Sequence, residues 1–184
     1  MSKHKKLNKE TVIKNIPIYG INEQGNVGNN IYHNSVYIGG SGVVSGSENT
    51  FCFKSSVTDN SRSYRNNIFC NARTNGAGTG SHFAIGVGGS EPNPEGLTID
   101  NNVYYTIGII GGVLGFYNSL PVPDLSAWKT AVGMDEGSLF GDPQFINPVN
   151  NLHINPSLPS PVEGNGFLIT SITDDIDIEN RSGL

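Results

Sequence analysis

Short apolar runs alternate with Gly-, Asn- and Ser-rich stretches along the whole chain. Ile, Val, Phe and Tyr dominate the runs, as strands prefer. One series repeats: NNIYHN starts at Asn29, NNIFCN at Asn66 and NNVYYT at Asn101, with offsets 66 − 29 = 37 and 101 − 66 = 35. A second series runs out of phase with it. It reads IPIYGI from Ile16, TFCF from Thr50, HFAIGV from His82 and VLGFY from Val113. Its apolar centres recur about every 32 residues, a period that signals stacked supersecondary units.

No repeat carries a 3.6-residue pattern long enough for a helix, so helical solenoids are excluded. Leucine-rich repeats would need leucines that these units lack. A propeller blade needs four strands in about 40 to 45 residues, and each unit here shows two. The pattern predicts an all-β fold, a β-solenoid of three to four coils. In NNIYHNSVYI, Ile31, Val36 and Ile38 are predicted to face inward, with Asn34 at a bend. Asn tolerates the left-handed conformation and bonds nearby backbone. On the NN alignment Asn34 and Asn71 share a position and would form an amide ladder from coil to coil. Thr106 takes that place in the third unit and would weaken it. The same alignment puts Tyr32, Phe69 and Tyr104 together, just after the inward Ile31, Ile68 and Val103. They are then expected as an outer aromatic stripe, which stabilises the sheet and could bind sugar rings or another protein.

One segment reads as a helix. Asp124 is a good N-cap before LSAWKTAV, and Gly133 is placed to end it. Leu125, Trp128 and Val132 fall on one face, so Trp128 reads as core rather than as a sugar platform. The helix is expected to cover apolar surface at the end or side of the coils.

Composition agrees with this class. Gly, Pro, Asn and Ser number 24 + 10 + 23 + 18 = 75 of 184 residues, too many turn formers for a helix bundle. No apolar stretch approaches a membrane span. Net charge is −5, but residues 1–14 hold five Lys and one Glu, so the remainder is −9. An acidic body matches nucleic acid poorly. Residues 1–15 read as a solvated, poorly ordered Lys-rich segment, 16–120 as the coils, and 121–184 as a helix plus strands and turns closing the same domain. The Lys-rich start lacks the apolar region of a secretory signal. Cys52 and Cys70 show no metal-ligand spacing and read as buried thiols, although one bridge between them stays open.

The NxIxxNxVxI pattern with these spacings resembles the right-handed parallel β-helix proteins of pectate-lyase-like architecture. The tail resembles a closing signature of large secreted bacterial β-helix proteins, here Trp128, Gly133, Asp135, Ser138, Asp142, Pro143, Phe145, Leu152, Ser160, Pro161 and Gly166. The ending TDDIDIENRSGL is similar to the start of that group's common ending, without the strand that follows it there, so the chain looks like a C-terminal fragment of such a protein. The resemblance implies a right-handed solenoid and a secreted or cell-surface parent. It is specific for fold and weak for activity.

Polyuronate lyases of that architecture use a base of lowered pKa beside a cation. The candidates here are Lys54, Arg65, Arg73 and His82, with Arg62 and Tyr64 nearby. The polar stretch 54–65 reads as a long loop, where sites often sit. A solvated loop whose charges keep the solenoid soluble is the simpler account. Paired carboxylates for glycoside hydrolysis are not evident, since adjacent Asp174 and Asp175 would face opposite ways. No cofactor is expected. Asp135, Glu136 and Asp142 could offer oxygen ligands to Ca²⁺, but without the Asp-x-Asp-x-Asp-Gly spacing of a calcium loop. The favoured expectation is a non-catalytic surface solenoid for adhesion or carbohydrate binding. The alternatives are a polysaccharide lyase or glycosidase, or a plain stalk. A polysaccharide is the expected partner, with self-association through solenoid ends or edges also open.

Overall fold

The computed structural model describes residues 17–25, 27–107, 110–175 and 177. The Lys-rich start and the last seven residues (178–184) lie outside the described residues. The chain winds as a β-solenoid of four turns, a parallel β-helix. The first coil holds β1 (Ile18–Glu23), β2 (Asn30–Tyr32) and β3 (Ser35–Ile38). The second holds β4 (Thr50–Ser55), β5 (Arg62–Arg65) and β6 (Ile68–Asn71). The third holds β7 (His82–Gly86), β8 (Leu97–Asp100) and β9 (Val103–Thr106). The fourth holds β10 (Gly112–Tyr117), β11 (Leu120–Val122), α1 (Leu125–Val132) and β12 (Leu139–Phe140). Equivalent strands stack in parallel into three sheets, β1-β4-β7-β10, β2-β5-β8 and β3-β6-β9-β12. β11 folds back antiparallel onto β10.

Each of the first three coils thus has three strands, not the two its sequence pattern suggests. The second sheet is the hidden one. Its middle strand, RSYR, buries Arg62 and Tyr64 and turns Ser63 and Arg65 outward, so it looks like polar loop. Residues 62–65 of the expected long loop are therefore strand.

The coil register also differs from the NN alignment. Asn34 lies opposite Asn67, one residue before the paired strands Ser35↔Ile68 and Ile68↔Val103. His33, Asn66 and Asn101 are the true equivalents, at φ of 55°, 57° and 57°. Asn tolerates this left-handed turn, and in the first coil His takes the place. The amide ladder exists, but its rungs are Asn34, Asn67 and Asn102. Asn34 Nδ2 donates to Asn67 Oδ1 at 3.1 Å, and Asn67 Nδ2 donates to Asn102 Oδ1 at 3.0 Å. Ser138 Oγ continues it by accepting from Asn102 N at 2.7 Å. Asn71 is not a rung. It pairs with Ile38 and turns inward, where its Nδ2 donates to Thr50 Oγ1 and to the Phe83 carbonyl.

The third sheet then aims Val36, Phe69 and Tyr104 at the core. Phe53, Phe69, Tyr104 and Trp128 form a chain of rings with centroids 5.4, 6.3 and 6.4 Å apart. Such pairs add roughly 0.5–1.5 kcal/mol each beyond burial. Helix α1 covers the C-terminal end of this core, as its pattern predicts. Asp124 Oδ1 accepts from Ala127 N at 2.9 Å, Gly133 ends the helix at φ 69°, and Trp128 and Val132 are fully buried. A Cβ at Gly115 would lie 2.3 Å from Trp128 Cε3, so only glycine lets the indole seat against β10. Asp135 locks the cap: its carboxylate accepts from Trp128 Nε1 and Tyr104 OH at 2.7 Å each, and from the Ser138 hydroxyl. Burial raises its pKa despite these donors. The signature residues Trp128, Asp135 and Ser138 thus form one buried polar lock with Tyr104, and Gly133 ends the helix beside it.

The hairpin β13 (Phe145–Asn147) and β14 (Asn151–Ile154) follows. The chain then returns along the coils. Asn66 exchanges two hydrogen bonds with the Phe167 main chain, at 2.7 and 2.8 Å.

Candidate functional site

The first sheet carries a ring stack, in which Phe51 and Phe83 are buried and Tyr19 is exposed. Tyr19, Phe51 and Phe83 are in register on β1, β4 and β7. Tyr19 and Phe51 stack at 5.8 Å, and Phe51 and Phe83 at 4.8 Å. Phe116 of β10 meets Phe51 and Phe83 edge-on, at 5.9 and 5.3 Å. Lys54 lies across this cluster, its Nζ 4.8 Å from the Phe51 centroid and 4.3 Å from that of Phe116. Burial lowers the pKa of the amine. The arrangement suits a cation held over ring faces.

A groove of about 570 Å³ opens beside it, at the C-terminal ends of β4, β7 and β10. Lys54, Phe116, Ser55, Ser90, Glu91 and Asn118 are among its walls. Two features hold the walls in place. The β10–β11 turn uses Asn118 and Ser119 at φ 48° and 60°, the tight hairpin geometry these small polar residues accept. Beneath the groove, the buried Arg62 guanidinium ties its two loops together. It donates to the carbonyls of Asn60 and Glu95 at 2.8 Å and of Gly88 at 3.2 Å. Among the described residues it has no carboxylate partner. Deeper still, Tyr64 OH bonds Ser55 Oγ at 3.0 Å and the buried Glu23 carboxylate.

The residues expected as a catalytic set do not converge on this groove. Of Lys54, Arg65, Arg73 and His82, only Lys54 lines it. Arg65 ends β5 with its guanidinium 4.5 Å from the Phe167 ring. Arg73 follows β6 and donates to the Gly39 carbonyl at 3.4 Å. His82 points inward, bonded to Thr50 Oγ1 at 3.0 Å and Asn75 Oδ1 at 2.9 Å. Burial first, and then the Arg73 charge, lower its pKa to about 4. It is a satisfied core histidine.

The expected stripe of Tyr32, Phe69 and Tyr104 does not form on the outside. Phe69 and Tyr104 are fully buried in the core, and Tyr32 belongs to the second sheet, opposite Arg65. The stack that does form is Tyr19, Phe51 and Phe83, of which only Tyr19 is exposed. Its spacing of 51 − 19 = 32 and 83 − 51 = 32 lay in the second repeat series and was the signal that could have located it. Asp135 is withdrawn from any Ca²⁺ set, because both its oxygens accept from buried donors. Among the described residues no group of three or more His, Cys, Asp or Glu could hold a metal ion. Cys52 and Cys70 are both free and buried.

In comparisons with known proteins, no family model, curated protein or solved structure matches this chain.

Proposed function

We propose that the chain is a non-catalytic carbohydrate-binding solenoid, part of a bacterial secreted or cell-surface protein. One observation carries the reading: an open groove walled by hydroxyls, amides and two carboxylates, with Phe116 and the Lys54 amine at one side. Sugar rings stack their apolar faces on aromatic side chains and give their hydroxyls to groups such as Ser90, Glu91 and Asn118. The resemblance of the closing segment to secreted β-helix proteins supports the surface location. The test is a titration of the folded chain with a panel of purified oligosaccharides, neutral and acidic, read by calorimetry. Binding that falls at least tenfold in Phe116→Ala and Lys54→Ala is expected. No binding across the panel, or binding untouched by both changes, refutes the assignment.

A second reading has one observation in its favour. Lys54 is a half-buried amine of lowered pKa on the groove wall, the character of a base that abstracts a proton beside a carboxylate. A polysaccharide lyase would release unsaturated product from acidic polysaccharide, visible by ultraviolet absorbance with and without Ca²⁺. Signal abolished in Lys54→Ala would replace binding by catalysis.

A further inference from the structure

A second cavity lies on another side of the molecule, between the outer face of the third sheet and the β13–β14 hairpin. It measures about 270 Å³, below the usual range for drug-sized ligands and suited to a single small group. Tyr37, Cys70 and Tyr105 share one register position on β3, β6 and β9. The two tyrosines therefore stand two strand spacings apart, about 9.5 Å at the backbone. Cys70, the small residue between them, leaves a slot at its centre. Phe145 of the hairpin supplies a third ring, and Asp142 and Gln144 line the same cavity.

One exposed carboxylate, Asp142, lines the slot. Asp142 makes no ion pair among the described residues, and its Oδ1 accepts from Gln144 N at 2.9 Å. Its field reaches the cavity: after burial, the Asp142 charge helps raise the pKa of Tyr37, Cys70 and Tyr105. Three aromatic side chains and one exposed carboxylate line this small cavity, a composition that suits a cation. Ring faces favour a cation that gives up its water easily, and the methyl groups of a quaternary ammonium make it such an ion. Anions are repelled by Asp142. A strongly hydrated inorganic cation would find a single side-chain carboxylate, too few oxygens to replace its water.

We propose that this cavity binds a quaternary ammonium group, using Tyr37, Tyr105 and Phe145 as the cage and Asp142 as the counter-charge. The site does not depend on the groove at the first sheet. It also gives Asp142 and Phe145, two residues of the closing signature left outside the helix lock, a common place and role.

The test titrates the full chain with tetramethylammonium chloride, read by calorimetry and by amide shifts of Cys70, Tyr105 and Phe145. Sodium chloride controls for ionic strength, and 3,3-dimethyl-1-butanol serves as the uncharged isostere of choline. Saturable binding at millimolar concentration is expected, with the isostere weaker. Asp142→Asn keeps the acceptor for Gln144 N and should weaken binding about tenfold, as should Tyr105→Leu. Phosphocholine and Nε-trimethyl-lysine, titrated in parallel, distinguish a choline headgroup from a methylated peptide, and saturation by either at the same amides supports the site. No saturation, equal affinity for the uncharged isostere, or unchanged affinity in Asp142→Asn overturns it. Should Tyr105→Leu fail to fold, Tyr37→Leu and Asp142→Asn carry the test, with Trp128 emission reporting the fold.

Discussion

Replacing Asn67 by Ala removes the central rung of the amide ladder. Its Oδ1 accepts from Asn34 N at 3.0 Å and from Asn34 Nδ2 at 3.1 Å. Its Nδ2 donates to the Ile31 carbonyl at 2.9 Å and to Asn102 Oδ1 at 3.0 Å. Each such bond contributes about 1 kcal/mol net, and buried groups left alone cost more. Two partners keep another bond: Asn34 Nδ2 still reaches the Tyr32 carbonyl, and Asn102 Oδ1 still accepts from the residue 67 main-chain N–H. The expected loss is therefore about 3 kcal/mol. That is a large share of the roughly 5–15 kcal/mol that holds a domain folded. The single tryptophan supplies the assay, because Trp128 is fully buried and its emission should shift to the red on unfolding. With a urea m-value near 2 kcal/mol/M, the midpoint should fall by about 1.5 M at unchanged m. Asn34→Ala tests the same logic at the ladder's end. It removes two donated bonds at a partly buried site, so it should cost about 1 kcal/mol. An Asn67→Ala loss below 1 kcal/mol, or equal losses for both changes, would refute a cooperative ladder.

Three further outcomes follow from the buried polar groups. His82 has a folded pKa of about 4, below its unfolded value near 6.5, so the native state binds fewer protons between them. Its contribution is complete above pH 6.5 and is lost as pH falls toward 4, at about 1.4 kcal/mol per unit. The difference in stability between the native sequence and His82→Gln should show that slope, and a flat difference would contradict the assignment. Asp135→Ala strands Tyr104 OH, Trp128 Nε1 and the Ser138 hydroxyl, for a loss of about 3–5 kcal/mol in urea denaturation. A loss near zero would remove the lock from the account of the cap. Burial holds the Cys52 thiol well above its usual range and, with the Asp142 charge, pushes Cys70 up to about 12. Iodoacetamide at pH 8 should label neither thiol in the folded chain and both in urea; rapid labelling of the native form would contradict this burial.

Local chemistry was legible before any contact was known. The helix needed only Asp124, the Leu125-Trp128-Val132 face and Gly133, all within one short segment, and the structure has it at Leu125–Val132. The first sheet was legible because its strands are apolar and evenly spaced. The second was not, because Arg62 is buried against main-chain carbonyls that include those of the distant Gly88 and Glu95, a partnership that RSYR does not announce.

Register was the property that local pattern could not supply. The first coil holds two candidate turns, Asn29-Asn30 and His33-Asn34, and on sequence the NN pair is the better match. The folded chain uses His33-Asn34, since only that choice extends the Asn67–Asn102 hydrogen bonds into the first coil. The consequence reaches every side chain beyond it, because strand residues alternate between faces. Phe69 and Tyr104 go into the core, and Tyr37 and Tyr105 flank the slot outside the third sheet. The sequence by itself therefore determined the solenoid class, the helix with its caps and the residues available for a ladder. Which residues are rungs, which rings face out and which loops enclose a groove were decided only when the coils stacked. Those choices rest on hydrogen bonds and packing between residues some 30 to 40 positions apart, where no local propensity reaches.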